Sequence, residues 1–284
     1  MGQFRCAAES PFRPRKTRST TSSLTPDSAS GSGRGTQRLP GPSMDDWIAF
    51  YDSAHTIYVS KLHRDAHFRT IARNIVSYIP SRDSVVLDYA CGEALSAETV
   101  ADACGRLILT EPAPGVRGRL VTRFTPNTKI DVRSLDELRH MDEESIDLAV
   151  MNSVAQYMTP DELDAGFAVV RRLLKPTGLL VLGDIPQPHI GLAGDVIALL
   201  GFAAKHGFVK DALRGLVRTA MSDYPQLRLR IGLQRYSEAE MLAKLAAAGM
   251  TAIRAPVNIG HNASRMTFLA GRPVKADRGA TAAR

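Results

Sequence analysis

Two rhythms of apolar positions run along the chain. Before Pro80 the apolar and aromatic residues recur every three or four positions, with Phe68, Ile71, Ile75 and Tyr78 on one stripe. The spacing predicts two leading helices, over residues 47–60 and 63–78, the second stopped by Pro80. After Pro80 short apolar runs alternate with helical stretches. Residues 85–88, 107–110, 129–133, 146–151 and 179–183 read as strands, and 95–103 and 115–124 as the helices between them. Thr159-Pro160-Asp161-Glu162 supplies an N-cap, a first-turn proline and a capping-box acid. The helix that follows buries Leu163, Phe167, Val170 and Leu174 and is stopped by Pro176 and Gly178. A second capped helix runs over residues 237–249, from Ser237 through Glu240 to Gly249. Residues 251–258 and 265–270 then read as a closing pair of strands around a loop at Ile259-Gly260-His261-Asn262. Strands alternating with helices predict an α/β domain with a largely parallel sheet.

Between the fifth strand and the last capped helix lies an insertion, about residues 186–233, which Gly207 splits into two helices. Residues 196–204 carry no charge, but the run is too short to span a bilayer. Its many Leu, Phe and Val side chains are each worth roughly 1.5–3 kcal/mol when buried. Such a lid covers something apolar: the sheet below, an apolar substrate or a membrane face.

Composition separates the ends from the body. The 284 residues, 44% hydrophobic, allow one large domain with additions. Residues 1–43 are rich in Ser, Thr, Arg, Pro and Gly and poor in aliphatics, which predicts disorder. Three origins fit this leader: a disordered tail, a non-native extension before Met44, or a transit peptide without an amphipathic stripe. The leader carries a balance of +5 and the tail 272–284 a balance of +3. The overall +7 therefore leaves −1 on the predicted domain, 44–271. An enzyme of nucleic acid would carry its basic surface on the fold, so no nucleic-acid partner is expected. Cys6, Cys91 and Cys104 form neither an even disulfide framework nor a metal-ligand spacing, which points to a reducing cytoplasm.

The chemistry concentrates in Val85-Val86-Leu87-Asp88-Tyr89-Ala90-Cys91-Gly92-Glu93-Ala94-Leu95. A buried strand ends on an acid, and small residues then alternate before a helix. Twenty-three residues after Asp88, Glu111 closes the next apolar run, a distance that suits a carboxylate on a ribose diol. A dinucleotide fingerprint needs its third small residue where this chain has Leu95. The pattern instead resembles motif I of the class I S-adenosylmethionine methyltransferases, with Ala90 and Ala94 where the family usually has glycine. The likeness extends over about residues 45–271 and includes a Lys-Pro-x-Gly turn before the fifth strand.

The resemblance implies a Rossmann-like, doubly wound seven-stranded sheet with the last strand antiparallel, inserted beside the fifth. It also implies S-adenosylmethionine as cofactor: Asp88, Ala90 and Gly92 at the methionine end, Glu111 on the ribose, and Ser134 and Leu135, with Asp136, near the adenine. Asn152 leaves the fourth strand without the Pro-Pro-aromatic run of amino-methylating nucleic-acid enzymes and without a metal-binding acid. A polar pocket from Asn152, Gln156 and Tyr157 is expected there. The leading helices, dense in Tyr51, His55, Tyr58, His63 and His67, are placed to cap the cleft. Tyr157, Tyr58 and His63 are the candidate catalytic residues, each with a packing role as its alternative, and Asp184 and His261 read more simply as loop residues. The expected activity is methyl transfer to a small molecule. Peripheral membrane contact through the lid, a nicotinamide-dependent oxidoreductase and a non-catalytic cofactor-binding regulator remain as alternatives.

Overall fold

Strand β1 (Val85–Asp88) forms where β-branched and aliphatic residues run unbroken, and it is buried on both faces at Val86 and Leu87. It pairs in parallel with β2 (Arg106–Thr110) on one side and with β4 (Ile146–Asn152) on the other. Outside β2 lies β3 (Ile130–Arg133), also parallel. Beyond β4 comes β5 (Leu174–Ile185), then β7 (Met266–Gly271), antiparallel to both β5 and the edge strand β6 (Thr251–Arg254). The order β3-β2-β1-β4-β5-β7-β6 is the seven-stranded sheet expected, with the last strand inserted antiparallel beside the fifth.

The computed structural model describes residues 47–48, 52, 58–220 and 233–273. The basic leader, most of the first leading helix with Tyr51 and His55, and the tail from residue 274 lie outside them.

Side chains alternate across the sheet with the strand period of two. Val86, Leu107, Leu109, Leu148, Val150 and Val181 form one core layer. Leu87, Ile108, Ala149, Met151, Leu180 and Leu182 form the other. Helices cover both faces: α1 (Lys61–Val76), α2 (Ala97–Ala101) and α3 (Pro114–Phe124), then α4 (Pro160–Leu173) after its observed capping box. The insertion is two helices, α5 (Leu192–His206) and α6 (Val209–Ala220), joined through Gly207 at φ 77°. The second observed capping box opens α7 (Glu238–Ala247) at Ser237 and Glu240.

Several boundaries differ from expectation: the helix expected over 95–103 spans only Ala97–Ala101, and the second leading helix runs from Lys61 to Val76. Leu174 does not belong to the stripe of α4: it opens β5 and pairs with Ile146. Residues 175–178 bulge before the ladder resumes at Leu179, and a Cβ on Gly178 would sit 2.9 Å from the Ile146 carbonyl. Pro176 and Gly178 therefore shape a strand bulge rather than a helix stop. Strand β6 ends at Arg254, ahead of Pro256. Beneath the lid, Phe202, Ala203, Phe208 and Ala212 pack with Ala66 of α1. The apolar inner face of the lid is thus covered by a leading helix.

Candidate active site

The strand order reverses between β1 and β4, so their carboxyl ends flank a crevice. Asp88, Ala90, Gly92, Glu111 and Asn152 all line it. The loop after β1 explains the alternating small residues. Ala90, Gly92 and Ala94 take φ values of 55°, 61° and 42°, in the left-handed region. Each alanine there costs about 1–2 kcal/mol relative to an unstrained backbone. The loop is held from both neighbouring strands: Tyr89 N donates to the Val150 carbonyl at 2.8 Å and Cys91 N to that of Thr110 at 2.9 Å. Arg123 of α3 donates to the carbonyls of Glu93 (3.0 Å) and Ala94 (2.8 Å). A Cβ on Gly92 would meet nothing within 4 Å, so the cradle is open at its centre. Ala90→Gly should raise the melting temperature, by about 2–4 °C per kcal/mol of strain relieved, less the entropy glycine adds to the unfolded chain. An unchanged or lower midpoint in a thermal melt would contradict that reading.

Two carboxylates face each other across this loop. Burial, and then the nearby Glu111, push Asp88 up to about 7. Glu111 is only 5% exposed, although its side chain lines the cleft. One of its oxygens accepts from Gly92 N and the other from Ala113 N, both at 2.8 Å. Burial raises its pKa, and these two amides pull the other way. Asn152 donates weakly to Ser153 Oγ at 3.3 Å, while its Oδ1 is buried without a hydrogen-bond partner. A buried acid with elevated pKa and an orphaned acceptor are groups that an incoming cation or N–H would satisfy.

The other half of the cleft is aromatic. Tyr58, His67, Phe68, Tyr157 and Trp47 line it, with Ile71 and Ile75 from the stripe of α1. The rings of Trp47 and Tyr157 lie 4.5 Å apart, and Tyr58 lies 5.6 Å from His67 and 5.8 Å from Phe68. Two of the expected catalytic residues, Tyr58 and Tyr157, are therefore brought together here. His63 is not. It stacks on Phe208 of the lid at 5.1 Å, accepts from Val59 N through Nδ1, and its Nε2 is buried without a partner. At helical spacing His63 and His67 are four apart, and only the second turns to the cleft.

Burial, then the neighbouring His261, hold His63 down at about 4 and His67 at about 3; burial also lowers His261. A base depressed on folding binds fewer protons in the native state than in the unfolded one. The histidines' share of the stability should therefore be intact above about pH 6.5 and fall progressively as the pH drops towards 4, by on the order of a few kcal/mol, while Asp88, raised on folding, acts in the opposite direction. Urea midpoints of the parent and of His63→Phe from pH 7.5 to 4.5 test this; the parent should lose more stability on acidification than the variant, and equal pH dependence would contradict it.

The remaining expected residues are engaged elsewhere. Ser134 donates to Glu137 from N (2.6 Å) and Oγ (2.9 Å), Asp136 pairs with Arg139 at 3.8 Å, and neither Ser134 nor Leu135 lines the cleft. Gln156 turns away: its Oε1 accepts from Arg265 at 2.9 Å. Asp184 is not in a loop but near the end of β5, and its carboxylate accepts from Arg265 (2.8 Å), Ser153 Oγ (2.7 Å) and Asn258 Nδ2 (3.1 Å), which occupies it structurally. Asp184 and Ser153 have φ of 62° and 59°, so this network fixes two strained strand ends beside the cleft. Trp47, Phe68 and Glu93 were not anticipated as lining residues. Phe68 carried a signal in its stripe, which read as helix packing.

Residues 86–178 match the family model described as a methyltransferase domain. No curated protein matches the chain. Among solved structures, 1,6-didemethyltoxoflavin-N1-methyltransferase from Burkholderia thailandensis, with bound 1,6-didemethyltoxoflavin and S-adenosylhomocysteine, is 15% identical. It aligns with 80% of this chain and 84% of that one, TM-score 0.50. A chain of the complex formed by the Haloferax volcanii Trm112 methyltransferase activator gives 14% identity over 82% of this chain and 99% of that one, TM-score 0.50. At such identities the likeness is one of fold. The matched segment runs from β1 to the bulge that opens β5, so the strands that flank the crevice are the part similar to a methyltransferase domain, on a Rossmann-like methyltransferase fold.

Proposed function

We propose that the protein uses S-adenosylmethionine to methylate a small, apolar molecule. The observation that carries this reading is the convergence of Asp88, Gly92, Glu111 and Asn152 on one crevice at the switch point of the sheet. The cofactor supplies a methyl group already activated on a sulfonium. Asp88 and the orphaned Asn152 Oδ1 suit its ammonium end, and the left-handed loop from Ala90 lets the backbone come close without side chains intervening. Glu111 keeps unused lone pairs on both oxygens for a ribose diol. Ser134 and Leu135 reach the adenine only if Ser134 N exchanges its bond to Glu137. Tyr58 and Tyr157 wall the acceptor half, with His67 in the place expected of His63. Holding the acceptor in line with the methyl and excluding water supplies most of the rate. Leu95 disfavours the nicotinamide alternative.

No helix among the described residues is long and apolar enough to cross a membrane. The free Cys91 and Cys104 support a cytoplasmic setting, and the near-neutral body supports a small-molecule acceptor over nucleic acid. Peripheral contact through α6 is compatible with its exposed Leu213 and Val217. The domain spans 44–271, so a chain starting at Met44 should keep its melting temperature; a loss would make the leader part of the fold. Native mass spectrometry after incubation with equal S-adenosylmethionine and NAD tests the function. The methyl donor or its demethylated product should be retained, and a bound NAD would overturn the reading.

A further inference from the structure

Resting on that reading, we propose that the acceptor is a neutral, apolar amine, received in the aromatic half of a cleft whose described lining carries carboxylates and no lysine or arginine. Tyr58, Phe68, Trp47 and Tyr157 present ring surfaces to the space beyond the cofactor half, and such faces attract cationic and electron-poor groups. The charged side chains of the lining are Asp88 and Glu111 on the cofactor half and Glu93, which pairs with Arg64 at 3.6 Å; among the described residues no lysine or arginine lines the cleft itself. An acceptor carrying a carboxylate or phosphate would enter this space unpaired and lose its hydration, which is strongly unfavourable. A product ammonium would meet ring surfaces and the Glu93 carboxylate instead.

The titratable groups of this half point the same way. His67 is faced by His261, His63, Asp184 and Arg265, and its burial leaves an imidazole too weakly basic to keep a proton at neutral pH. Tyr58, facing Glu93, Tyr157 and Arg64, is held protonated by burial. A hydroxyl acceptor would need one of them as base. An amine brings its own lone pair. The nitrogen lone pair forms the new N–C bond, the carbon–sulfur pair returns to sulfur, and the positive charge passes from sulfur to nitrogen. With a tertiary amine no proton has to leave.

Protein loaded with S-adenosylhomocysteine and titrated calorimetrically with benzyltrimethylammonium, benzyl alcohol and phenylacetate tests the cage without turnover. The ammonium should bind at least tenfold more tightly than either other probe. Tyr58→Leu should weaken it on the order of tenfold, while Tyr58→Phe, which keeps the face, should hold within about threefold. In turnover with S-adenosylmethionine, N,N-dimethylbenzylamine should gain one methyl and 4-methylphenol none, with a rate that rises with pH up to the pKa of the amine itself. Equal or tighter binding of phenylacetate or benzyl alcohol, or preferential methylation of the phenol, would overturn the proposal. Failure of S-adenosylhomocysteine to load would instead overturn the methyl-transfer reading beneath it.

Discussion

Glu111→Ala is expected to weaken S-adenosylhomocysteine binding about a hundredfold and to lower the melting temperature in the same protein. Two charge-assisted hydrogen bonds to a ribose diol, each worth roughly 1.5–3 kcal/mol, account for the first effect after partial replacement by water. The second follows from the contacts of the carboxylate in the structure. Its oxygens accept from Gly92 N and Ala113 N, tying the strained loop after β1 to the start of α3. Truncation strands two N–H donors, each costing about 1–3 kcal/mol. At about 2–4 °C per kcal/mol the melt should move visibly. Glu111→Gln keeps the shape but offers one acceptor oxygen and turns an NH2 towards an N–H, so it should lose affinity and stability as well. If both variants bind and melt like the parent, Glu111 holds neither the ribose nor the loop.

Arg265→Ala should destabilise the protein by about 3–5 kcal/mol. Arg265 and Asp184 are each 14% exposed at the side chain, and Arg265 is the charge that compensates the Asp184 carboxylate at 2.8 Å. Removing it leaves Asp184 with Ser153 and Asn258 alone, at the end of β5 and in a left-handed conformation. Arg265 and these hydrogen bonds hold Asp184 below the usual carboxylate range against its burial. The stability it contributes is therefore present above the ordinary value near 4 and lost as pH falls through the lowered native one. Adding Asp184→Asn should recover part of the loss, since asparagine carries no buried charge and tolerates the left-handed backbone. Urea unfolding of the single and double variants reads this directly. A cost below about 1 kcal/mol for Arg265→Ala, or no recovery in the double variant, would contradict a buried, compensated pair.

What the chain reveals by pattern is its strand sequence and its capped helices, because both rest on local chemistry. Thr159 with Glu162 and Ser237 with Glu240 form their boxes as written. Unbroken runs such as Val85–Asp88 have no other place than a covered sheet. The alternating small residues were legible as a tight turn, and their cause, three left-handed residues, is one that only backbone angles display. Other features depend on contacts between distant segments. Leu174 joins β5 rather than α4 because Ile146 pairs with it, and Glu111 also holds the fold because Gly92 N and Ala113 N reach it. Which of His63 and His67 faces the cleft is decided by Phe208, from an insertion more than a hundred residues away. The cleft walls at Trp47 and Phe68 had the same periodicity as ordinary packing, so spacing alone did not separate the two.

The central claim is that the crevice between β1 and β4 holds S-adenosylmethionine. Calorimetric titration of the full chain with S-adenosylhomocysteine, and separately with NAD, tests it most directly. S-adenosylhomocysteine should bind one-to-one at micromolar level, with most of that affinity lost in Glu111→Ala, and NAD should give no heat. Tight NAD binding with no response to S-adenosylhomocysteine would contradict it.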